Sequence, residues 1–184
     1  MKKVLLLLCM IFMLTGCRSA DNKEVRKVVN SAFKAYQARD LNEVKRYTGS
    51  SFKTTDIPFF KNNDKLVDPV IQSIVEKTSI KIKKVTVSGD NATVTGTVKV
   101  VNIGGIIGNV ERAIRNREIV AEKNEQLAVF TSTVHDEVKA LGASMREYDV
   151  EVNLQKIDGE WEIVLDEPLR DALTGGFITY RSKE

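Results

Sequence analysis

The stretch Tyr148-Asp149-Val150-Glu151-Val152-Asn153-Leu154-Gln155-Lys156-Ile157-Asp158-Gly159-Glu160-Trp161-Glu162-Ile163-Val164-Leu165 decides the fold. Tyr148, Val150, Val152 and Leu154 alternate with Asp149, Glu151 and Asn153. That period of two belongs to a strand with one buried and one wet face. Asp158-Gly159 is a tight-turn pair, and Trp161, Ile163 and Leu165 resume the apolar phase beyond it, so the stretch predicts a β-hairpin. A second hairpin lies upstream. Ala92, Val94, Gly96, Val98 and Val100 share one face over 92–101, and Gly89-Asp90-Asn91 turns the chain before them. Residues 80–87 also alternate, but the phase slips between Ile80/Ile82 and Val85/Val87, which predicts a β-bulge near Lys83-Lys84.

Helical periodicity fills the rest. Asp21 with Glu24 makes a capping-box pattern, and Val25, Val28, Val29, Ala32, Phe33 and Tyr36 form one stripe at spacings of three and four. Arg39-Asp40 breaks it, and Asp40 with Glu43 can cap a second helix carrying Leu41, Val44 and Tyr47. Residues 50–63 read as irregular, with Phe52, Phe59 and Phe60 as plugs, and Asp68-Pro69 starts a third helix. Between the hairpins, 105–142 is helix-like. Ile107, Val110 and Ile114 make one stripe, and Leu127, Phe130, Val134, Val138 and Leu141 make another. The polar run between them leaves open one long helix or two. Pro168–Leu173 predicts a short helix, followed by Gly175-Gly176 and a polar tail.

The N-terminus has its own pattern. Lys2-Lys3 precedes an apolar run from Val4 to Met13, the length of a signal h-region and short for a permanent span. The run ends in Leu14-Thr15-Gly16-Cys17, which resembles the lipobox of bacterial lipoproteins. The resemblance implies cleavage after Gly16 and a diacylglycerol thioether on Cys17, with acyl chains such as palmitate holding the chain to the membrane. The organisation that follows is a signal at 1–16, a lipidated anchor and short linker at 17–20, and one α+β domain at 21–184, outside the cytoplasm. Residues 17–184 are enough for one hydrophobic core.

The chain carries 28 basic and 25 acidic side chains, a formal net charge of +3. Lys2 and Lys3 would leave with the signal, so the remainder is nearly balanced, which argues against a nucleic-acid partner. Cys9 and Cys17 are the two cysteines, one removed and one lipidated on this reading. No disulfide is then expected despite an oxidising location, and one histidine without a free cysteine argues against a His/Cys metal site. No cofactor is expected.

Helices followed by two hairpins with helical material between them predict an α+β fold with an antiparallel sheet. The order of elements, the Arg39-Asp40-Leu41 step and the late Asp158-Gly159-Glu160-Trp161-Glu162-Ile163 strand resemble the nuclear transport factor two-like superfamily. It is most similar to small bacterial lipoproteins sharing that cone-shaped fold. The resemblance implies N-terminal helices on a curved sheet of two hairpins, with 105–142 as a long helical insertion between them.

Enzymes of that superfamily, among them ketosteroid isomerases and dehydratases, place Asp, Tyr or His inside the cone. Tyr36, Tyr47, Tyr148 and Trp161 are the ligand-pocket candidates here, although Asp149 falls on the face opposite Tyr148. A Tyr in phase with valines also reads as core. His135 neighbours Asp136 and Glu137, but adjacent helical residues do not face one another, so it reads as a surface or boundary residue. Gly104-Gly105-Ile106-Ile107-Gly108 lacks the Lys-Ser/Thr ending of a phosphate loop and reads as a flexible hinge, with Ile103, Ile106 and Ile107 as a minor membrane-touching alternative. Arg112, Arg115, Glu118 and Glu122 read as a solvated helix face that can serve a protein partner. No convergent acid, base, nucleophile and metal set is legible. The sequence therefore points to a non-enzymatic, membrane-tethered domain binding a small apolar ligand or an envelope protein. A pocket enzyme of the isomerase/dehydratase type is the alternative, and an antigenic or structural envelope component is a third.

Overall fold

The computed structural model describes residues 2–49, 52, 68–116, 119, 125–140 and 143–182, with side chains from Ala20 onward. Among them are seven helices and four strands in the order α1 (Lys2–Gln37), α2 (Leu41–Thr48), α3 (Asp68–Glu76), β1 (Ser79–Ser88), β2 (Asn91–Val101), α4 (Ile103–Arg115), α5 (Gln126–Lys139), β3 (Met145–Ile157), β4 (Glu160–Val164), α6 (Glu167–Leu173) and α7 (Phe177–Arg181). The fold is α+β. The strands form one antiparallel sheet in the order β1-β2-β3-β4, so the two hairpins join through β2 and β3.

The inward face follows from the alternation. Val94 pairs with Val152, Ala92 with Leu154 and Leu154 with Ile163, and all of these side chains are buried. Burying each of the valine, leucine and isoleucine side chains contributes about 1.5–3 kcal/mol, and the Ala92 methyl less. The bulge falls where the phase slip requires it. Ile82 pairs with Gly96 and Lys84 with Thr95, leaving Lys83 as the extra residue. Without it, Val85 and Val87 would point away from the face that Ile80 and Ile82 share. Lys83 turns outward and meets Asp149 on β3 at 2.6 Å, while Thr97 donates to the same carboxylate at 2.9 Å. These contacts hold the Asp149 carboxyl below the usual carboxylate range.

Helices α1, α2, α3 and α6 pack on the sheet. Val25, Val29, Ala32, Phe33 and Tyr36 of α1 are buried there. The break at Arg39-Asp40 is a Schellman turn. Arg39 takes φ +53°, its N–H donates to Tyr36 O, and Asp40 N–H donates back to Ala35 O. The Asp40 carboxylate then accepts from Asn42 N and Glu43 N, both at 3.1 Å, and starts α2. Arg39 reaches Asp68 at the head of α3, at 2.7 Å.

Several expectations need correction. Asp21 caps nothing, because helical backbone runs through residues 17–24; its carboxylate meets Lys156 on β3 at 3.3 Å. Residues 105–142 form two helices, α4 and α5. Gly104 and Gly105 are no hinge but the first turn of α4, and Ile103 and Ile106 are buried beneath it rather than facing a membrane. Leu127, in the first turn of α5, is 67 % exposed instead of extending the buried stripe of that helix. The expected polar tail includes α7. Phe52 is buried as expected, whereas Phe59, Phe60 and Leu141 lie outside the described residues. Among the described residues no helix is long and apolar enough to cross a membrane.

Two predictions follow from this packing. A Cβ on Gly175, which sits at φ +60°, would lie 2.0 Å from Val101 O, whereas one on Gly89, at φ +58°, meets nothing within 4 Å. Gly175→Ala should therefore destabilise the chain by about 3 kcal/mol or more and Gly89→Ala by about 1, measured by urea unfolding. The second concerns pH. Hydrogen bonding to Arg39 holds the Asp68 carboxyl below its ordinary range, against a smaller opposing effect of burial. A depressed folded pKa adds stability that is present above about pH 4 and lost as pH falls through the folded value. The stability advantage over Asp68→Asn should be constant near neutrality and vanish in acid.

Candidate functional site

A groove of about 470 Å³ lies between α4 and α5. It is built at the end of the sheet where β2 stops and β3 begins. Asn102 makes its neck: the Asn102 N–H donates to Ser144 O at 2.8 Å, closing the connection between the hairpins. The Asn102 carboxamide oxygen accepts from Gly105 N at 3.3 Å and caps α4. From there α4 presents Asn109 and Arg112 to the groove, and α5 presents Thr133 and Glu137. Ile106 and Val110 form the apolar floor, both buried. The Thr133 hydroxyl is tied to Val129 O at 2.8 Å. Arg112, Asn109 and Glu137 are exposed and free to meet an incoming group. The surface offers a cation, a carboxylate and an amide over an apolar strip, which suits recognition of a mixed polar and apolar surface.

Of the partner-surface candidates, Arg112 lines this groove, and Arg115 is exposed one turn later, 3.9 Å from Glu111. Glu111 also accepts a hydrogen bond from the Tyr180 hydroxyl, which ties α7 to α4. Glu118 and Glu122 lie outside the described residues.

The four aromatic candidates do not meet in one pocket. Tyr36 is buried in the core, its hydroxyl donating to Leu173 O at 2.8 Å, and burial pushes its phenol far above the ordinary range. The void beside it measures only about 30 Å³ and is walled by apolar side chains such as Phe33, Val44 and Ile163. Tyr47 and Trp161 share a separate groove of about 200 Å³ with Lys27, Ser31 and Arg46. Lys156 lies over the Trp161 ring at 5.3 Å, and the indole N–H is buried with no hydrogen-bond partner among the described residues. Tyr148 lies toward the other end of β3, under Arg146 at 4.7 Å. Burial raises its phenol pKa, with Arg146 opposing and Asp171 adding. Lys156, the partner of Trp161, lies eight positions along β3 from Tyr148, which puts the backbones of the two aromatics about 27 Å apart along the strand.

His135 is partly exposed and lies 3.5 Å from its neighbour Asp136. Among the described residues no three His, Cys, Asp or Glu side chains gather as metal ligands. Sequence reading missed Asn102. An Asn immediately before the helical series Ile103, Ile106, Ile107 and Val110 is a cap signal, but the glycines beside it masked it.

One antiparallel sheet with helices packed on it, and a helical excursion bearing a groove at one end, defines an α+β domain. The chain belongs to the family described as a domain of unknown function (DUF5105), whose profile matches residues 16–178. It is similar to the uncharacterized lipoprotein YcdA of Bacillus subtilis (strain 168), at 26% identity over 86% of this chain and 46% of that protein. The crystal structure of ycdA from Bacillus subtilis subsp. subtilis str. 168 aligns with a TM-score of 0.46 at 23% identity, covering 75% of this chain and 43% of that one. The chain thus spans less than half the length of this relative.

Removing the Asn102 carboxamide should uncap α4 and leave the backbone bond of the groove neck in place. Asn102→Ala is expected to cost about 1 kcal/mol in urea unfolding, while Ser144→Ala, which leaves the backbone bond to Asn102 intact, should change little.

Proposed function

We propose that this chain is a lipid-anchored lipoprotein of the bacterial cell envelope, outside the cytoplasm, that binds a protein partner through the α4–α5 groove without catalysing a reaction. The observation that carries the reading is position. Lys156 meets Asp21 near the hairpin turns, on the side where α1 leaves Cys17, whereas Asn102 and Ser144 mark the opposite end of the same strands. Strand β2 spans 11 residues, about 35 Å, so the groove lies that far along the sheet from the Cys17 end and a lipid at Cys17 would leave it unobstructed. The Leu14-Thr15-Gly16-Cys17 pattern and a relative named as a lipoprotein support the anchor.

The interior favours binding on the surface over catalysis inside. A small pocket enzyme needs its acid or base to face a ligand-sized cavity. Tyr36 instead borders a void of about 30 Å³ with its hydroxyl already bonded, and Tyr148 and Trp161 stand far apart. A small apolar ligand meets the same obstacle. The cone shape implied by the nuclear transport factor two-like resemblance is part of this proposal. It draws support from the order of helices, hairpin, helical excursion and hairpin around one antiparallel sheet.

A photo-crosslinking side chain placed at Asn109 in intact cells should give one discrete protein adduct, reduced at least fivefold by Arg112→Glu. The same label at Thr95, on the outer sheet face, should not. A turnover activity that survives purification and is abolished by Tyr148→Phe would overturn the reading.

A further inference from the structure

The exposed side of α1 carries Lys23, Arg26, Lys27, Asn30 and Lys34, at spacings of three and four along one face. The opposite side of the helix is the core stripe, buried from Val25 to Tyr36. Glu24 is the one exposed acidic residue between 23 and 34; it lies one turn before Lys27, about 60° round the helix from it, and both border the Tyr47 and Trp161 groove together with Glu160. None of the four cations is in an ion pair among the described residues. On the sheet, Lys83 is bonded to Asp149 and Lys99 stands opposite Glu147, while Lys81 and Lys84 stand opposite Thr97 and Thr95 as two exposed cations rather than a continuous row. A row of unpartnered cations about 17 Å long therefore lies on the helix that leaves Cys17, with its first member about 9 Å along the axis from that residue.

We infer that α1 lies flat on an anionic phospholipid surface, with this basic row against the headgroups. The inference rests on the lipid anchor proposed above. The anchor places a phospholipid surface within reach of the row, and helical backbone through 17–23 leaves little slack between them. The alternative, the domain standing on its hairpin turns, presses Asp90, Asp158 and Glu160 toward the same headgroups. Ile157, exposed at that end, is one apolar side chain against three carboxylates. Charge complementarity selects the helix.

The test uses the full chain, processed in bacteria and purified in detergent. Cys9 would leave with the signal and Cys17 would carry the lipid, so a thiol introduced as Asn30→Cys or Thr95→Cys labels uniquely. Intact mass reports the lipid on Cys17. The chain is then reconstituted into vesicles of phosphatidylcholine alone or of phosphatidylcholine with phosphatidylglycerol in equal parts, and a fluorophore at each position is quenched from the lipid headgroups. The expected result is at least threefold stronger quenching at position 30 in the phosphatidylglycerol vesicles. It should be abolished by 0.5 M salt and by combined Lys23→Glu, Lys27→Glu and Lys34→Glu, with position 95 unaffected. A lipidated chain quenched equally in both vesicles overturns the inference and leaves the anchor standing. A chain without lipid overturns both. Release of position 30 by free polyglycerol phosphate at charge-matched concentration would assign the row to a soluble polyanion and overturn the membrane reading.

Discussion

Strand β2 is the constraint on which the rest depends. It is hydrogen-bonded on both sides, so its register is fixed twice, and its inward row of Ala92, Val94, Gly96, Val98 and Val100 must meet apolar neighbours on both β1 and β3. A slip of one residue would put Thr93, Thr95, Thr97 and Lys99 into the core. The bulge at Lys83 is the cost of satisfying that requirement on the β1 side, where the sequence changes phase. The other pairing runs through eleven consecutive positions without a shift. With only Cys9 and Cys17 in the chain, no cross-link supplements this seam in the domain. Packing of the seam against Val25, Val29, Phe33 and the other helical side chains carries the stability.

The hairpins were legible because alternation is a local signal that tertiary context reinforces: Val152 and Leu154 are buried for the same reason that Glu151 is not. The Asp40 cap was legible too, since the capping oxygen and the N–H groups it serves lie within three residues. What escaped reading depends on residues distant in sequence. Asp21 has the spacing of a cap, yet its partner is Lys156, 135 positions away. Gly104 and Gly105 have the composition of a hinge, but Gly104 packs against the backbone of Gly176, where a side chain would collide. Glycine there permits close approach of two segments rather than motion.

The same distinction applies to the candidate site. Phase assigns a side chain to a face and leaves its position along that face undefined. Tyr148 and Trp161 share the inward phase, yet one stands under Arg146 and the other under Lys156, at opposite ends of β3. Arg112 was readable as a surface cation. The groove around it needs Asn102 from the end of β2, Thr133 and Glu137 from α5, and Ser144 from the start of β3. None of these is adjacent in sequence to Arg112, so no local pattern could assemble them.

The continuity of the β2–β3 pairing also bears on how such a domain would work. Its two ends differ in character. One gathers the hairpin turns and the Asp21–Lys156 contact, and the other carries the α4–α5 excursion closed by Asn102 and Ser144. Eleven unshifted pairs leave no hinge between them, and α1 runs along the same sheet, contacting β1, β2 and β4. A force or an orientation imposed on α1 is therefore transmitted to the groove as a rigid displacement rather than absorbed. If α1 is held flat, the strands fix both the height and the bearing of Arg112 relative to the surface that holds it. Selectivity for a partner then depends on where that partner can present its own surface, as well as on the chemistry of the groove.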